Sequence, residues 1–281
     1  MTNDRYQNNF IPRTIWILWE QGFESAPLIV KECVKSWQTK NPTWTVQLLD
    51  ANNIGSFISM EFLQENKSFM PLALKSDFIR LALLKEYGGV WADSTIFCKE
   101  PIDNWIEDYA RSGFFAFADP GKDRVLASWF LISSRNNPLV TACYNGLSDF
   151  WTSNYFPRPN RVRQFLKSGL DEVLRHDVKT ARAWFNPFVS KFLKIYPYFL
   201  FHYFFEKIVY EDRFDSSSWQ NKKYVEAEPA HIVQRLGMST VACEKVKSLI
   251  AENNSPVYKL NWRFNDSDYK EGTLIWYIFH E

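Results

Sequence analysis

Three polar groups fall close together in Lys75–Thr95, KSDFIRLALLKEYGGVWADST: Asp77, Arg80 and Asp93. Asp77 and Arg80 are three residues apart in a stretch of helical character, so they share one helix face. Alone, they serve equally well as a surface ion pair. Asp93 adds weight to a functional reading. It ends a short apolar strand, Val90 to Ala92, that follows the Gly88-Gly89 stop of the helix. The carboxyl ends of strands in parallel α/β sheets are where ligands bind. Carboxylates and a guanidinium gathered there can read hydroxyl groups through charge-assisted hydrogen bonds.

The surrounding elements must deliver those groups. Thr14 to Trp19 is a continuous apolar run after Pro12 and reads as a buried strand. Pro27 opens a helix with Val30, Cys33, Val34 and Trp37 on one face. Asn41-Pro42 makes a turn, and Trp44, Val46 and Leu48 alternate with polar residues toward Asp50. This βαβ unit predicts a mainly parallel sheet. Pro71 starts the helix that carries Asp77 and Arg80. Phe114 to Phe117 and Trp129 to Ile132 read as further core strands, and Asn136 and Asn137 as a helix cap before Pro138. Residues 157–221 read as an insertion on a single α/β core spanning 1–281.

Composition narrows the class. Of 281 residues, 46% are apolar, enough to bury a sizeable core. With 33 basic and 32 acidic residues the net charge is +1, so no global field draws nucleic acid, and that partner is excluded. Cys33, Cys98, Cys143 and Cys243 are scattered without a CxxC pair, which speaks against a disulfide framework or structural zinc. They read as buried thiols of a reducing compartment. Met1 to Asn9 has no apolar signal core, and no charge-free run of about 20 apolar residues occurs. The expected location is cytoplasmic.

The segment S-D-x-x-R-x-x-x-L-x-x-x-G-G-x-x-x-D, Ser76 to Asp93, resembles the core motif of glycosyltransferase family 32, which carries the DXD sugar-binding region. The resemblance is closer to its capsular polysaccharide synthesis branch. Ile11-Pro12-Arg13-Thr14-Ile15-Trp16, Trp19, Gln21-Gly22, Ala26-Pro27 and Ser36-Trp37 agree with it. So do Ser128-Trp129-Phe130, Pro229-Ala230-His231 and Tyr258-Lys259-Leu260-Asn261-Trp262. It implies an α/β, GT-A-like (Rossmann-like) nucleotide-sugar-binding core, transfer with retention, and a nucleotide-sugar donor, UDP being the commoner. It also implies a glycan or lipid-linked glycan acceptor and a divalent metal, Mn²⁺ or Mg²⁺. By position, Asp77 and Arg80 would hold donor-sugar hydroxyls, Asp93 would sit near ribose and metal, and Trp16 would lie against the base. Trp91, Lys259 and Trp262 join the donor site.

One position departs from the pattern. The DXD element reads Asp93-Ser94-Thr95, so the second carboxylate, normally the metal ligand, is a hydroxyl that supplies no charge. The metal set is then Asp93, Thr95 and His231, although a lone His is more often a satisfied structural histidine. Trp262 fits a donor contact or core packing. His280 and Glu281 read as a frayed end. A catalytically inactive, sugar-binding homologue is the alternative to an enzyme. Residues 184–207, dense in Phe and Tyr with Lys191, Lys194 and Lys207 between, fit either a helical lid or a face docking on the inner membrane surface. Pro187 and Pro197 divide this segment into short helices.

Overall fold

The computed structural model describes residues 9–59, 61, 69–210 and 217–280. A five-stranded sheet in the order β2-β1-β3-β6-β5 forms the centre. Its strands are β1 (Thr14–Leu18), β2 (Thr45–Leu49), β3 (Gly89–Ala92), β5 (Phe114–Gly121) and β6 (Arg124–Ser133). A small second sheet pairs β4 (Ile96–Cys98) with β7 (Val257–Lys259). Alternation along the strands sends their side chains to two separate cores. Trp16 and Trp91 join Leu74, Phe78, Leu81 and Leu84 on one face. Ile15, Ile17, Val90 and Ala92 join Val34 and Trp37 on the other.

The sheet is mixed, where a mainly parallel one was expected. β1 pairs in parallel with β2 and β3, but β3–β6 and β5–β6 are antiparallel. β5 and β6 run longer than the expected strands, to Gly121 and from Arg124, and two residues join them. A connection that short allows only an antiparallel partner. Trp19 also lies beyond β1; its N–H still bonds the Leu49 carbonyl at 2.9 Å.

Helix α1 (Leu28–Lys40) follows Pro27 and buries Val30, Cys33, Val34 and Trp37 as the spacing predicts. Helix α2 (Leu72–Glu86) buries an unbroken run from Asp77 to Leu84, since it lies under the sheet and is covered by other helices. Gly88 and Gly89 have φ of +68° and +96°, and a Cβ on Gly89 would come 2.5 Å from the Thr14 carbonyl oxygen. Only glycine lets the chain leave α2 and enter β3 flush against β1. Helix α3 (Pro138–Thr152) is capped by Asn137, whose Oδ1 accepts from the Leu139 and Val140 amides. Cys33, Cys98 and Cys143 are buried free thiols; Cys243 is exposed, contrary to expectation.

The expected insertion contains α4 (Arg161–Leu174), several short turns and α5 (Leu200–Val209). Its aromatic residues largely complete the core. Phe201, Phe204 and Phe205 of α5 are buried together with Leu139, Leu147 and Trp151, and Trp184 is fully buried. Among the described residues no helix is long and apolar enough to cross a membrane. The last two α-helices are α6 (Glu244–Ala251) and α7 (Leu274–His280), so His280 is helical rather than frayed.

Candidate functional site

A cleft of about 710 Å³ opens where β1 and β3 end. Helix α2 supplies Ser76, Asp77 and Arg80, the β3 end supplies Asp93 and Thr95, and β7 supplies Lys259. Arg80 Nη1 donates to Asp77 Oδ1 at 2.5 Å, with both side chains under 10% exposed. Its Nη2 donates to Asp93 Oδ1 at 3.1 Å and to Ser76 Oγ at 3.2 Å. Trp91 Nε1 donates to the same Asp93 oxygen at 3.0 Å, and its ring lies 5.1 Å from the guanidinium. The pair is therefore not a surface salt bridge. It is a buried support that aims the outer edge of Asp93 into the cleft.

Burial pushes Asp77 up to about 6, against the pull of Arg80 and with a smaller push from Asp93. A carboxyl raised in the folded state favours folding below its folded value and weakens it above, so protonation near about pH 6 does not unfold the protein. It does remove the anion that holds Arg80. Donor affinity is thus expected to fall between about pH 7 and about pH 5 while the melting temperature holds or rises from this group. Asp77→Asn should flatten that pH step. Donor titrations by calorimetry across the range test it; a step unchanged in the variant assigns it elsewhere.

Across the cleft, β7 pairs with β4 so that Lys259 lies opposite Ile96, one residue past Thr95. The Lys259 ammonium donates to Thr95 Oγ1 at 2.5 Å and stands 3.5 Å from Asp93 Oδ2. Trp262 lines the rim, 48% exposed, edge-on to Trp19 at 6.1 Å between centroids. A ring that open is not part of the core.

Two expected site residues are placed elsewhere. Trp16 does not line the cleft. It is buried between Phe57 and Tyr87 and donates to the Gly88 carbonyl at 2.9 Å, because its pleat position points under the sheet. His231 also does not line it; its ring meets Trp129 edge-on at 5.7 Å. Burial and the nearby Lys259 charge hold its pKa below the ordinary value.

Other lining residues escaped the sequence reading. Tyr198, Phe199 and His202 form a wall, so part of the aromatic insertion belongs to the site. Arg124, at the start of β6, lies 3.9 Å from the centre of the Phe199 ring and bonds Asp123 at 3.1 Å. Asp123 also accepts from Tyr203 and Arg175. His202 is kept neutral by burial, reinforced by the Arg124 and Arg80 charges. The density of aromatic residues was visible, but nothing in the sequence assigned these three to the cleft.

A resident divalent cation does not fit these residues. Among the described residues no three His, Cys, Asp or Glu side chains gather to hold one. Asp93 Oδ1 already accepts from Arg80 and Trp91, while its Oδ2 and the Thr95 hydroxyl both face the Lys259 ammonium. Hard cations want several free oxygen ligands, and here a fixed cation stands among them.

Comparison with known proteins gives relatives of one kind. Over 159 residues the chain is 28% identical to the O-glycosyltransferase braB of Annulohypoxylon truncatum, covering 50% of this chain and 38% of the relative. It is 31% identical over 172 residues to inositol phosphoceramide mannosyltransferase 1 of Schizosaccharomyces pombe, covering 57% and 49%. The chain thus spans less than half the length of either. Among solved structures, the UDP-bound glycosyltransferase domain from the YGT toxin aligns with a TM-score of 0.34 and 10% identity, over 66% of this chain and 72% of that one. Both sequence relatives carry the names of glycosyl-transferring enzymes. The family model described as capsular polysaccharide synthesis protein matches residues 1–158 and 175–278, and the chain belongs to that family.

Proposed function

We propose that this chain moves a glycosyl unit from a nucleoside diphosphate sugar to a glycan or lipid-linked glycan of a surface polysaccharide. Retention of anomeric configuration, a UDP donor and a cytoplasmic setting complete the reading, all three on the strength of the sequence resemblance. The observation that carries it is the meeting of Asp77, Arg80 and Asp93 with Lys259 in one cleft at the strand ends. Asp77 and Arg80 face the donor sugar's hydroxyls, and Asp93 takes a ribose hydroxyl while anchoring Lys259. Breaking the bond between the anomeric carbon and the phosphate oxygen leaves charge on the diphosphate. The Lys259 ammonium is placed to stabilise that charge, the task a divalent metal performs elsewhere. The acceptor oxygen forms the new bond, and its proton passes to a phosphate oxygen. Tyr198 and Phe199 offer an aromatic wall on which an acceptor sugar can stack.

A thermal-shift panel of UDP- and GDP-sugars, each with EDTA or with Mn²⁺, tests the reading. A true donor at about a hundred times its Kd adds about 2.7 kcal/mol to the folded state. One nucleotide sugar should stand out, and EDTA should not erase its shift. Slow hydrolysis of that donor without acceptor separates an enzyme from an inactive sugar-binding homologue. A panel in which no nucleotide sugar moves the melting temperature overturns the proposal.

A further inference from the structure

We propose that helix α4 and the helical turn Phe188–Leu193 form a docking face for an anionic lipid leaflet. Helix α4 has fourteen residues and buries none of them. Val162, Phe165, Leu166 and Val173 are 66%, 79%, 37% and 66% exposed, and their spacing puts them on one stripe. Phe188 and Phe192 are 58% and 73% exposed, with rings stacked at 5.1 Å. The two segments rest on the same small core. Leu170 and Leu174 from α4, with Val189 and Leu193 from the turn, pack around Trp184 and Ile195. The outward stripe and the stacked rings are therefore not needed to hold the insertion together. Six exposed large apolar side chains lie within residues 162–192, more than isolated surface residues account for.

Charge selects the partner. Residues 157–194 contain nine Lys and Arg against three Asp and Glu, a net of +6 in a chain whose total is +1. Arg161, Lys179, Lys191 and Lys194 are exposed. Aromatic and aliphatic side chains among cations match an interface of acyl chains beneath anionic headgroups. A second copy of the chain would bring two such positive faces together, which charge repulsion opposes. The family match stops at residue 158 and resumes at 175, so α4 lies outside the matched residues. The face also leads to the cleft. Tyr198, 60% exposed, lines the cleft six residues beyond Phe192. Within the expected segment 184–207, Phe201 and Phe204 are core residues, so the face narrows there to Phe188 and Phe192 and extends onto α4.

Co-sedimentation with vesicles of phosphatidylcholine, alone or mixed with phosphatidylglycerol, provides the test. The full chain should bind the mixed vesicles, bind neutral ones far more weakly, and release as salt rises. Phe165→Ser and Phe192→Ser should each weaken binding at least about tenfold, given the apolar area a phenyl ring buries. Their melting temperatures should match wild type, since both rings are exposed. Arg161→Glu combined with Lys191→Glu should abolish the preference for anionic vesicles. The proposal is overturned if wild type ignores anionic vesicles, or if the two Phe variants bind as well as wild type. It is equally overturned if light scattering shows wild-type dimers that these variants dissolve, because the occupant is then a second copy. The readout involves no donor, so the glycosyltransferase reading stands or falls separately.

Discussion

Asp93→Asn is expected to lower donor turnover by at least about two orders of magnitude, the effect of losing one preorganised electrostatic partner. The substitution keeps the shape of the side chain and removes its charge. Asp93 Oδ1 accepts from Arg80 at 3.1 Å and Trp91 at 3.0 Å, and Oδ2 faces the Lys259 ammonium at 3.5 Å. An amide can keep part of the first arrangement, so the fold should survive. It cannot hold the ammonium in place, and its NH₂ group would point a donor at another donor. Charge grows on the diphosphate during bond breaking, so the loss should appear in kcat more than in KM. Arg80→Ala makes a useful contrast. It leaves Asp77 buried without its counter-charge, which costs about 3–5 kcal/mol, so loss of fold should precede loss of chemistry. The decisive measurement is kcat of Asp93→Asn on the identified donor alongside its melting temperature. A well-folded variant turning over at near wild-type rate removes Asp93 from the chemical step.

The part of the site legible in the sequence is the local part. Asp77, Arg80 and Asp93 lie on one helix, one Gly-Gly reversal and one short strand, and the geometry of those elements fixes their convergence. Helix α1 was equally readable, because Val30, Cys33, Val34 and Trp37 fall on one stripe. What was hidden depends on distant pairing. The resemblance assigned Lys259 to the donor site, but its meeting with Thr95 runs through strands of three residues each, too short to give a periodic signal. Trp16 shows a second limit. Strand alternation separates it from Ile15 and Ile17 but does not say which face adjoins the ligand, and the ring proved to be core. The aromatic run shows a third. Phe201 and Phe204 bury against α3, while Phe165 and Phe192 remain open. Composition counts these rings alike; only packing distinguishes them.

Lys259→Met is expected to lower kcat by about two to three orders of magnitude, and EDTA is expected to leave the wild-type rate unchanged. Both follow from the place of the ammonium, between Asp93 Oδ2 and Thr95 Oγ1, where a carboxylate in place of Thr95 would favour a metal. Methionine keeps much of the aliphatic stem and loses the charge, so packing of β7 against β4 should persist. Removing the lysine also leaves Asp93 without one counter-charge, which makes that oxygen available. The double variant Lys259→Ala with Thr95→Asp should then present two carboxylates and no cation, the donor set that a hard divalent ion prefers. That variant should bind Mn²⁺, detectable by calorimetry without any donor, and should recover activity only when Mn²⁺ is added. Wild type should show no comparable Mn²⁺ binding. The two cation arrangements predict opposite responses to chelation: a fixed ammonium is indifferent to EDTA, and an engineered metal site is silenced by it. If EDTA abolishes wild-type turnover and Mn²⁺ restores it, Lys259 is not the cation that meets the leaving diphosphate, and a metal must enter with the donor.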